Sequence, residues 1–342
     1  MEKLIKRDLD ILSLLISKYI ATAAPVSSGC IAEEFGLGLS PATIRNVLAK
    51  LGDMGLLAQP HTSAGRIPTA VGFRYYVNTI LGHHELSKDE ETVITKQFDL
   101  HPANMQDILR SSSRILSLIS NYAGLVVMPK SEQAIFKHME FLPLSTGKVL
   151  GIFVSRDGSV HNRIIDVNED YSYPDFEKIS SYCNSAYYGC SLEDACRKAE
   201  KELALERVRY DKIIGRALAW SKEIFDNVSG EELFVQGEEK LMSAPEFSDI
   251  ETLKQVMAAL EEKNQIVHLL SRATQSSEVS VFIGSESNYE AVENCGIVTA
   301  SYKKGKEIIG TLGVIGPTRM DYSHIIPTVD FTAKLVSSML EV

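Results

Sequence analysis

The segment from Leu39 to Thr69 has a regular pattern of apolar and polar positions. Four apolar side chains recur in it at positions i, i+3, i+4 and i+7, namely Ile44, Val47, Leu48 and Leu51. This spacing places them in one stripe along a helix, so we expect that stripe to be buried. Ser40 can cap the free amides at the start of the helix, and Pro41 fits its first position. The pattern therefore predicts an amphipathic helix that begins at Pro41.

The opposite face of this predicted helix carries no acidic side chain. It consists of Ala42, Arg45, Asn46 and Ala49, with Thr43 and Lys50 on its flanks. A helix that faces only solvent usually carries mixed charges, so this composition favours an anionic partner. Arginine and asparagine match the hydrogen-bonding edges of guanine and adenine, and threonine can reach a thymine methyl group. Arg45 could instead pair with an acid of a neighbouring helix, and Asn46 could simply be solvated.

After this helix the pattern predicts two short strands joined by a polar tip. Gly52 and Gly55 end the helix, Leu56-Leu57 forms the first strand, and the chain returns at Ile67. The tip contains His61, Thr62, Ser63, Ala64, Gly65 and Arg66. Helix, strand, tip and strand is the order of a winged helix, whose helix enters the major groove while the wing reaches a phosphate or the minor groove.

Helical periodicity at 4–23 and 27–35 precedes this segment, and it resumes at 69–81. We therefore predict a winged helix-turn-helix domain at residues 1–81, followed by a linker at 82–99. Lys50, Arg66 and Arg74 are expected to bind phosphates, which makes affinity depend on salt. The predicted DNA-contacting residues are Ser40, Thr43, Arg45, Asn46, Lys50, His61, Thr62, Ser63, Arg66 and Arg74.

The remainder of the chain has a mixed pattern. Strands are expected at 123–128, 134–143, 148–155, 160–167, 279–283, 296–302 and 308–315, and helices at 103–121, 175–226, 249–273 and 328–340. Strands on both sides of a helical block suggest one α+β domain with antiparallel strands and a helical insertion. We expect this domain at 100–174 and 231–342, and the insertion at 175–230. An insertion with its own apolar stripe is suited to dimerisation, which would present two DNA-binding domains to a palindrome.

Composition and charge narrow the function. The 342 residues carry a net charge of −10, but residues 1–80 hold eight Lys and Arg against six acids, so the predicted DNA-binding end is mildly basic and the remainder of the chain is acidic. The five cysteines form no CxxC pair, and no stretch is apolar enough for a membrane span or a signal peptide. We therefore expect a cytoplasmic protein. No catalytic spacing or metal-ligand spacing is recognisable, so we expect neither enzymatic activity nor a cofactor.

Three motifs resemble those of the HrcA family of heat-inducible transcription repressors. They are Ser40 to Asn46, Pro60 to Thr69 followed by Gly72 to Val77, and Gly310 to Tyr322 with the sequence GTLGVIGPTRMDY. The resemblance implies a winged-helix domain, a GAF-like domain and an inserted dimerising domain. It also implies repression of chaperonin and DnaK-type operons through an inverted-repeat operator called CIRCE, with activity maintained by the chaperonin GroEL. The alternative is a metabolite-responsive regulator that uses the GAF-like domain as its effector site.

Overall fold

The computed structural model describes residues 4–35, 38–61, 64–81, 85–98, 105–128, 135–145, 147–156, 158, 160–167, 171–206, 212–228, 232–273 and 279–341. Its elements form a mixed α+β chain with helices and antiparallel strand pairs. The chain divides into two compact units, one formed by Met1–Met128 with Leu233–Val342 and the other by Pro129–Glu232.

The first unit begins with three helices, a two-stranded hairpin and a fourth helix. These elements are α1 (Lys6–Thr22), α2 (Ser28–Phe35), α3 (Pro41–Asp53), β1 (Leu57–Ala58), β2 (Ile67–Pro68) and α4 (Ala70–Tyr75), which continues as a π-helix at Tyr76–Ile80. Ser40 caps α3 by accepting a hydrogen bond from the Thr43 amide, and Ile44, Val47, Leu48 and Leu51 are buried. The helix predicted from residue 41 onward is therefore confirmed, and so is its buried stripe.

A five-stranded sheet and the helices packed on it form the rest of the first unit. Its strands are β3 (Ala123–Met128), β7 (Glu232–Gln236), β8 (Ser280–Ile283), β9 (Cys295–Lys304) and β10 (Glu307–Pro317), in the spatial order β7-β3-β10-β9-β8. One face packs on α6 (Met105–Ser120) and α12 (Tyr322–Leu340), and the other packs on α10 (Ile250–Glu262) and α11 (Asn264–Ala273). The single helix expected at 249–273 is interrupted at Lys263, whose φ is 54°.

The N-terminal helices share a core with this sheet. Phe73 of α4 is buried, and its ring centroid lies 6.3 Å from that of Tyr19 in α1 and 6.1 Å from that of Tyr322 in α12. The expected linker at 82–99 contains a helix, α5 (Lys88–Gln97), which is started by a capping box between Ser87 and Glu90. Its single buried residue, Ile94, gave little apolar periodicity to detect.

The second unit has its own sheet and helices. Strands β4 (Phe136–Ser145), β5 (Lys148–Ser155) and β6 (Val160–Asp166) are antiparallel neighbours in that order, and the helices are α7 (Tyr173–Tyr187), α8 (Leu192–Glu206) and α9 (Lys212–Val228). This differs from the expected insertion at 175–230, because β4 to β6 belong with these helices rather than with the five-stranded sheet. Phe136 contacts Phe153, Tyr187 and Phe225 in one aromatic core. Strand periodicity revealed the strands but could not reveal their pairing partners.

Candidate nucleic-acid interface

The outer face of α3 is exposed and free of acids until the end of the helix. Ala42, Arg45, Asn46 and Ala49 are all exposed, and the one acid of α3, Asp53, is its last residue. Within the described ranges, Arg45 and Asn46 have no hydrogen-bond or ion-pair partner. The possibility that Arg45 pairs with a neighbouring helix is therefore not realised among these residues. The side chains of Arg45 and Asn46 are available to an external partner.

Ser40 and Thr43 lie at the start of the same helix and contact each other. The Thr43 amide donates to Ser40 Oγ at 3.1 Å, and the two hydroxyl oxygens are 2.9 Å apart. Ser40 is exposed and Thr43 is half-buried. The first turn of α3 is thus fixed from within the protein.

The β1–β2 hairpin is held against the connection between α1 and α2. Arg66 exchanges two backbone hydrogen bonds with Val26, at 2.8 and 2.9 Å. Gly65 permits this approach, since a Cβ there would lie 2.4 Å from the Val26 carbonyl oxygen. The guanidinium of Arg66 lies beside Gly52. A Cβ added to that glycine would be 3.5 Å from Arg66 Nη1. The structure therefore brings Arg66 to the C-terminal end of α3.

The hairpin tip is only partly described. His61 is exposed, and its carbonyl accepts a 2.8 Å hydrogen bond from the amide of Ala64. Gln59 Nε2 donates to the Ala64 carbonyl at 3.0 Å. Two of the predicted contact residues, Thr62 and Ser63, lie outside the described residues.

Lys50 is engaged inside the protein. Its ammonium lies 2.9 Å from Asp8 Oδ2, and the Asp8 side chain is only 2% exposed whereas that of Lys50 is 35% exposed. The partner was not recognisable from sequence, because Asp8 is 42 positions away on α1. To contact a phosphate, the Lys50 ammonium would have to bind the phosphate and Asp8 together, or it would have to break its ion pair with Asp8. This geometry favours a structural role for Lys50.

We expect Lys50→Met to lower the free energy of unfolding by about 1–3 kcal/mol, because the buried carboxylate of Asp8 would lose its closest cationic partner. Urea denaturation of the variant and the wild type measures this difference. Lys6→Met, which removes an exposed lysine of α1, is the matched control and should be close to neutral. Unchanged stability combined with weaker DNA binding would instead assign Lys50 to a phosphate.

Arg74 also has partners within the protein. Its Nε donates to Glu286 Oε1 at 2.8 Å, its Nη2 contacts Glu286 Oε2, and Nη2 also donates to the Val281 carbonyl. Glu286 is 212 positions away in the sequence, so the ion pair could not be anticipated. The sequence-based expectation of a phosphate contact therefore competes with a contact between α4 and the edge of the five-stranded sheet.

Thr69 is a positioning residue outside the predicted set of DNA contacts. Its hydroxyl donates to the Gly55 carbonyl at 2.7 Å and accepts from the Gly72 amide at 3.0 Å. One side chain therefore joins the end of α3 to the start of α4 and fixes the base of the hairpin. A threonine three residues before a helical glycine, directly after a strand, is the N-cap signal that could have identified it.

Other site classes receive no support from the described part of the chain. It contains no cluster of three or more His, Cys, Asp or Glu side chains that could hold a metal ion. No helix within these ranges has the length and apolarity that a membrane span requires.

Comparison with known proteins identifies clear relatives. A family model described as the HrcA protein C-terminal domain matches residues 106–326. A protein of Geobacter sulfurreducens named heat-inducible transcription repressor HrcA is 40% identical over 331 residues, covering 97% of this chain and 96% of the relative. A protein of the same name from Syntrophobacter fumaroxidans is 36% identical over 343 residues, covering 100% and 99%. A crystal structure described as a hypothetical protein shares the fold, with a TM-score of 0.68, 20% identity and 99% coverage of both chains.

Proposed function

The chain belongs to the HrcA family of heat-inducible transcription repressors, and we propose that it binds an inverted-repeat operator as a homodimer. In this proposal residues 4–81 are a winged helix, the five-stranded sheet with its helices is a GAF-like domain, and the second unit is the inserted dimerising domain. The regulated genes would be chaperonin and DnaK-type operons carrying the CIRCE operator. The chaperonin GroEL would keep the repressor active.

The exposed outer face of α3 is the observation that carries this proposal. Arg45 and Asn46 have the donors and acceptors for base edges and are unengaged among the described residues. Lys50 and Arg74 are held by carboxylates, so we assign direct DNA contact to Ser40, Thr43, Arg45, Asn46, His61 and Arg66, and we retain Thr62 and Ser63 from the sequence prediction. Base contacts would come from the helix and backbone contacts from the hairpin.

The deciding experiment measures binding of the purified protein to three DNA duplexes. They carry the inverted repeat upstream of the chaperonin operon, a single half-site, and a scrambled sequence of equal composition. We expect the inverted repeat to bind at least 10³-fold more tightly than the scrambled DNA at physiological salt, as is typical of specific recognition. Equal affinity for all three duplexes would contradict the proposal.

The outward face of the three-stranded sheet is the surface that we propose for dimerisation. Six aliphatic side chains share this face and are absent from the buried core of the unit, namely Leu142, Leu150, Ile152, Val154, Val160 and Ile164. The strand register aligns Leu142, Leu150 and Ile164 in one row across the sheet. Val160 and Ile164 are 60% and 53% exposed. Exposed aliphatic side chains clustered in this way are often covered by a partner, and a second copy would cover them by sheet-on-sheet packing.

Ile152→Glu is expected to convert the dimer into a monomer. Ile152 lies at the centre of the face, between Glu140 and Asn162, so an added carboxylate would be buried against the partner beside the existing carboxylate of Glu140. Like charges brought together at an interface cost several kcal/mol. Sedimentation velocity measures the change, and Lys178→Glu, at an exposed position of α7, is the control. A variant that remains dimeric would place the interface elsewhere.

The chaperonin dependence and the metabolite alternative are separated by one further experiment. Operator binding is measured with and without GroEL, beside a thermal-shift screen against metabolites. Stronger operator binding with GroEL supports the proposed regulation. Stabilisation by a metabolite without any effect of GroEL would favour the effector-binding alternative, for which a cavity of about 310 Å³ between β9 and α12 is a candidate site.

A further inference from the structure

Arg319 connects the N-terminal helices to the rest of the first unit. We call this part, the five-stranded sheet with its helices, the body. It lies in the turn between β10 and α12, within the segment Thr318-Arg319-Met320-Asp321-Tyr322. Its Nη1 donates to the Ile20 carbonyl at 3.0 Å, and its Nε donates to Glu246 Oε1. One side chain thus contacts helix α1 on one side and the turn Pro245–Phe247 on the other.

The carbonyl that Arg319 contacts is unpaired within α1. A continuing helix would direct the Ala24 amide to the Ile20 carbonyl, but that amide lies 3.4 Å from Thr22 Oγ1 instead. Ala23 has a left-handed conformation, with φ of 52°, and turns the chain away. A cation near the C-terminal carbonyls of a helix is favoured by the helix dipole. Arg319 therefore caps α1 from a segment 299 positions away.

The pair between Arg319 and Glu246 is largely shielded from water. The two side chains are 15% and 19% exposed. In the described part of the protein, Glu246 Oε2 is buried without a hydrogen-bond partner. An ion pair of this kind contributes little net stability, because desolvation offsets the attraction, but it can fix a unique arrangement. The cost of burial suggests a role in geometry rather than in stability.

A second arginine contact runs in the opposite direction. Arg74 extends from α4 to Glu286 and to the Val281 carbonyl at the edge of the five-stranded sheet. Beside the shared apolar core, the N-terminal helices therefore have two polar attachments, α1 to the body arginine Arg319 and α4 to the body carboxylate Glu286. Two separated attachments restrict rotation of α3 more strongly than one.

We propose that Arg319 and Glu246 are positioning residues that set the half-site spacing which the repressor reads. The proposal rests on the proposed function, in which a dimer presents two copies of α3 to an inverted repeat. Half-sites must lie at the separation of the two recognition helices, so the orientation of each winged helix on its body determines which spacer fits. Loosening this orientation would leave each half-site contact intact while relaxing the spacing requirement.

The test compares the wild type with Glu246→Gln, which removes one charge at nearly constant shape, and with Arg319→Lys, which keeps the charge but loses the two-sided contact. Each protein is titrated with a single half-site and with inverted repeats whose spacers are natural, or one or two base pairs shorter or longer. Lys334→Met, which breaks an exposed ion pair with Asp330 on α12, is the control.

We expect both variants to bind the natural inverted repeat at least 10-fold more weakly and to show a flatter dependence on spacer length. Half-site affinity should stay within about 2-fold of the wild type, since the outer face of α3 is untouched. An unchanged spacer profile, or an equal loss on the half-site, would overturn the positioning role. If the wild type shows no preference for an inverted repeat over scrambled DNA, the proposed function itself fails, and this proposal fails with it.

Discussion

Arg45→Ala is expected to weaken binding to each half-site by about 1–3 kcal/mol, a factor of roughly 5 to 150 in affinity. A bidentate contact to a base edge accounts for this range. Asn46→Ala should have a similar effect at a neighbouring base pair. The proposed dimer presents the residue twice, so the loss on the full operator should approach twice the free energy lost on one half-site. These are the largest effects on binding that we expect from single substitutions.

Gel-shift titrations on a panel of operators with single base-pair changes measure both affinity and specificity. The Arg45→Ala protein should bind operators changed at one base pair with the same affinity as the natural operator. That base pair is the one that Arg45 contacts. Arg114→Ala, which removes an exposed arginine from α6, controls for the loss of one positive charge. Equal weakening on the operator and on scrambled DNA would show that Arg45 and Asn46 contact the backbone instead.

Gly72→Ala is expected to destabilise the protein by about 3 kcal/mol, at the upper end of the cost of overpacking. Gly72 lies in α4, and a Cβ there would be 2.1 Å from the Leu56 carbonyl oxygen. That oxygen already accepts a hydrogen bond from the Thr69 amide at 3.1 Å. The added methyl group must separate α4 from the end of α3, so the hairpin base should shift and operator binding should fall.

Thermal and urea unfolding, followed by circular dichroism, measure this loss. Gly29→Ala is a matched control in α2, because the nearest atom to its added Cβ is Ser27 Oγ at 3.7 Å. The control should be neutral or stabilised by up to about 1 kcal/mol, since alanine favours a helix more than glycine does. A stable, operator-binding Gly72→Ala protein would contradict the importance of this close contact.

Local features of the fold were predictable from sequence. Ser40, Pro41 and the apolar stripe of α3 specify the helix through contacts that span a few residues, and the structure has that helix at Pro41–Asp53. The strands at 123–128, 148–155 and 160–166 likewise follow from apolar patterning and turn residues. Sequence periodicity predicts these elements well because each is specified by residues close to one another in the chain.

Long-range pairings were not predictable. The partners of Lys50 and Arg74 lie 42 and 212 positions away, so a lysine and an arginine at the predicted interface could not be distinguished from free cations. The same limit applies to β4, β5 and β6, whose pattern fits either sheet until their pairing is known. The motif around Arg319 was recognised as a family signature, but its contact with α1 depends on the folded arrangement.

The internal engagement of Lys50 and Arg74 has a consequence for how a repressor of this design searches a chromosome. Affinity for DNA of arbitrary sequence comes almost entirely from cationic side chains that displace counterions from the phosphates. Each such contact raises the non-specific affinity. Two cations near α3 are neutralised by the protein's own carboxylates, so less of the repressor should be retained on the millions of competing sites of a genome. In the proposed function, this lower retention on competing sites leaves a larger share of the repressor free to bind its operators.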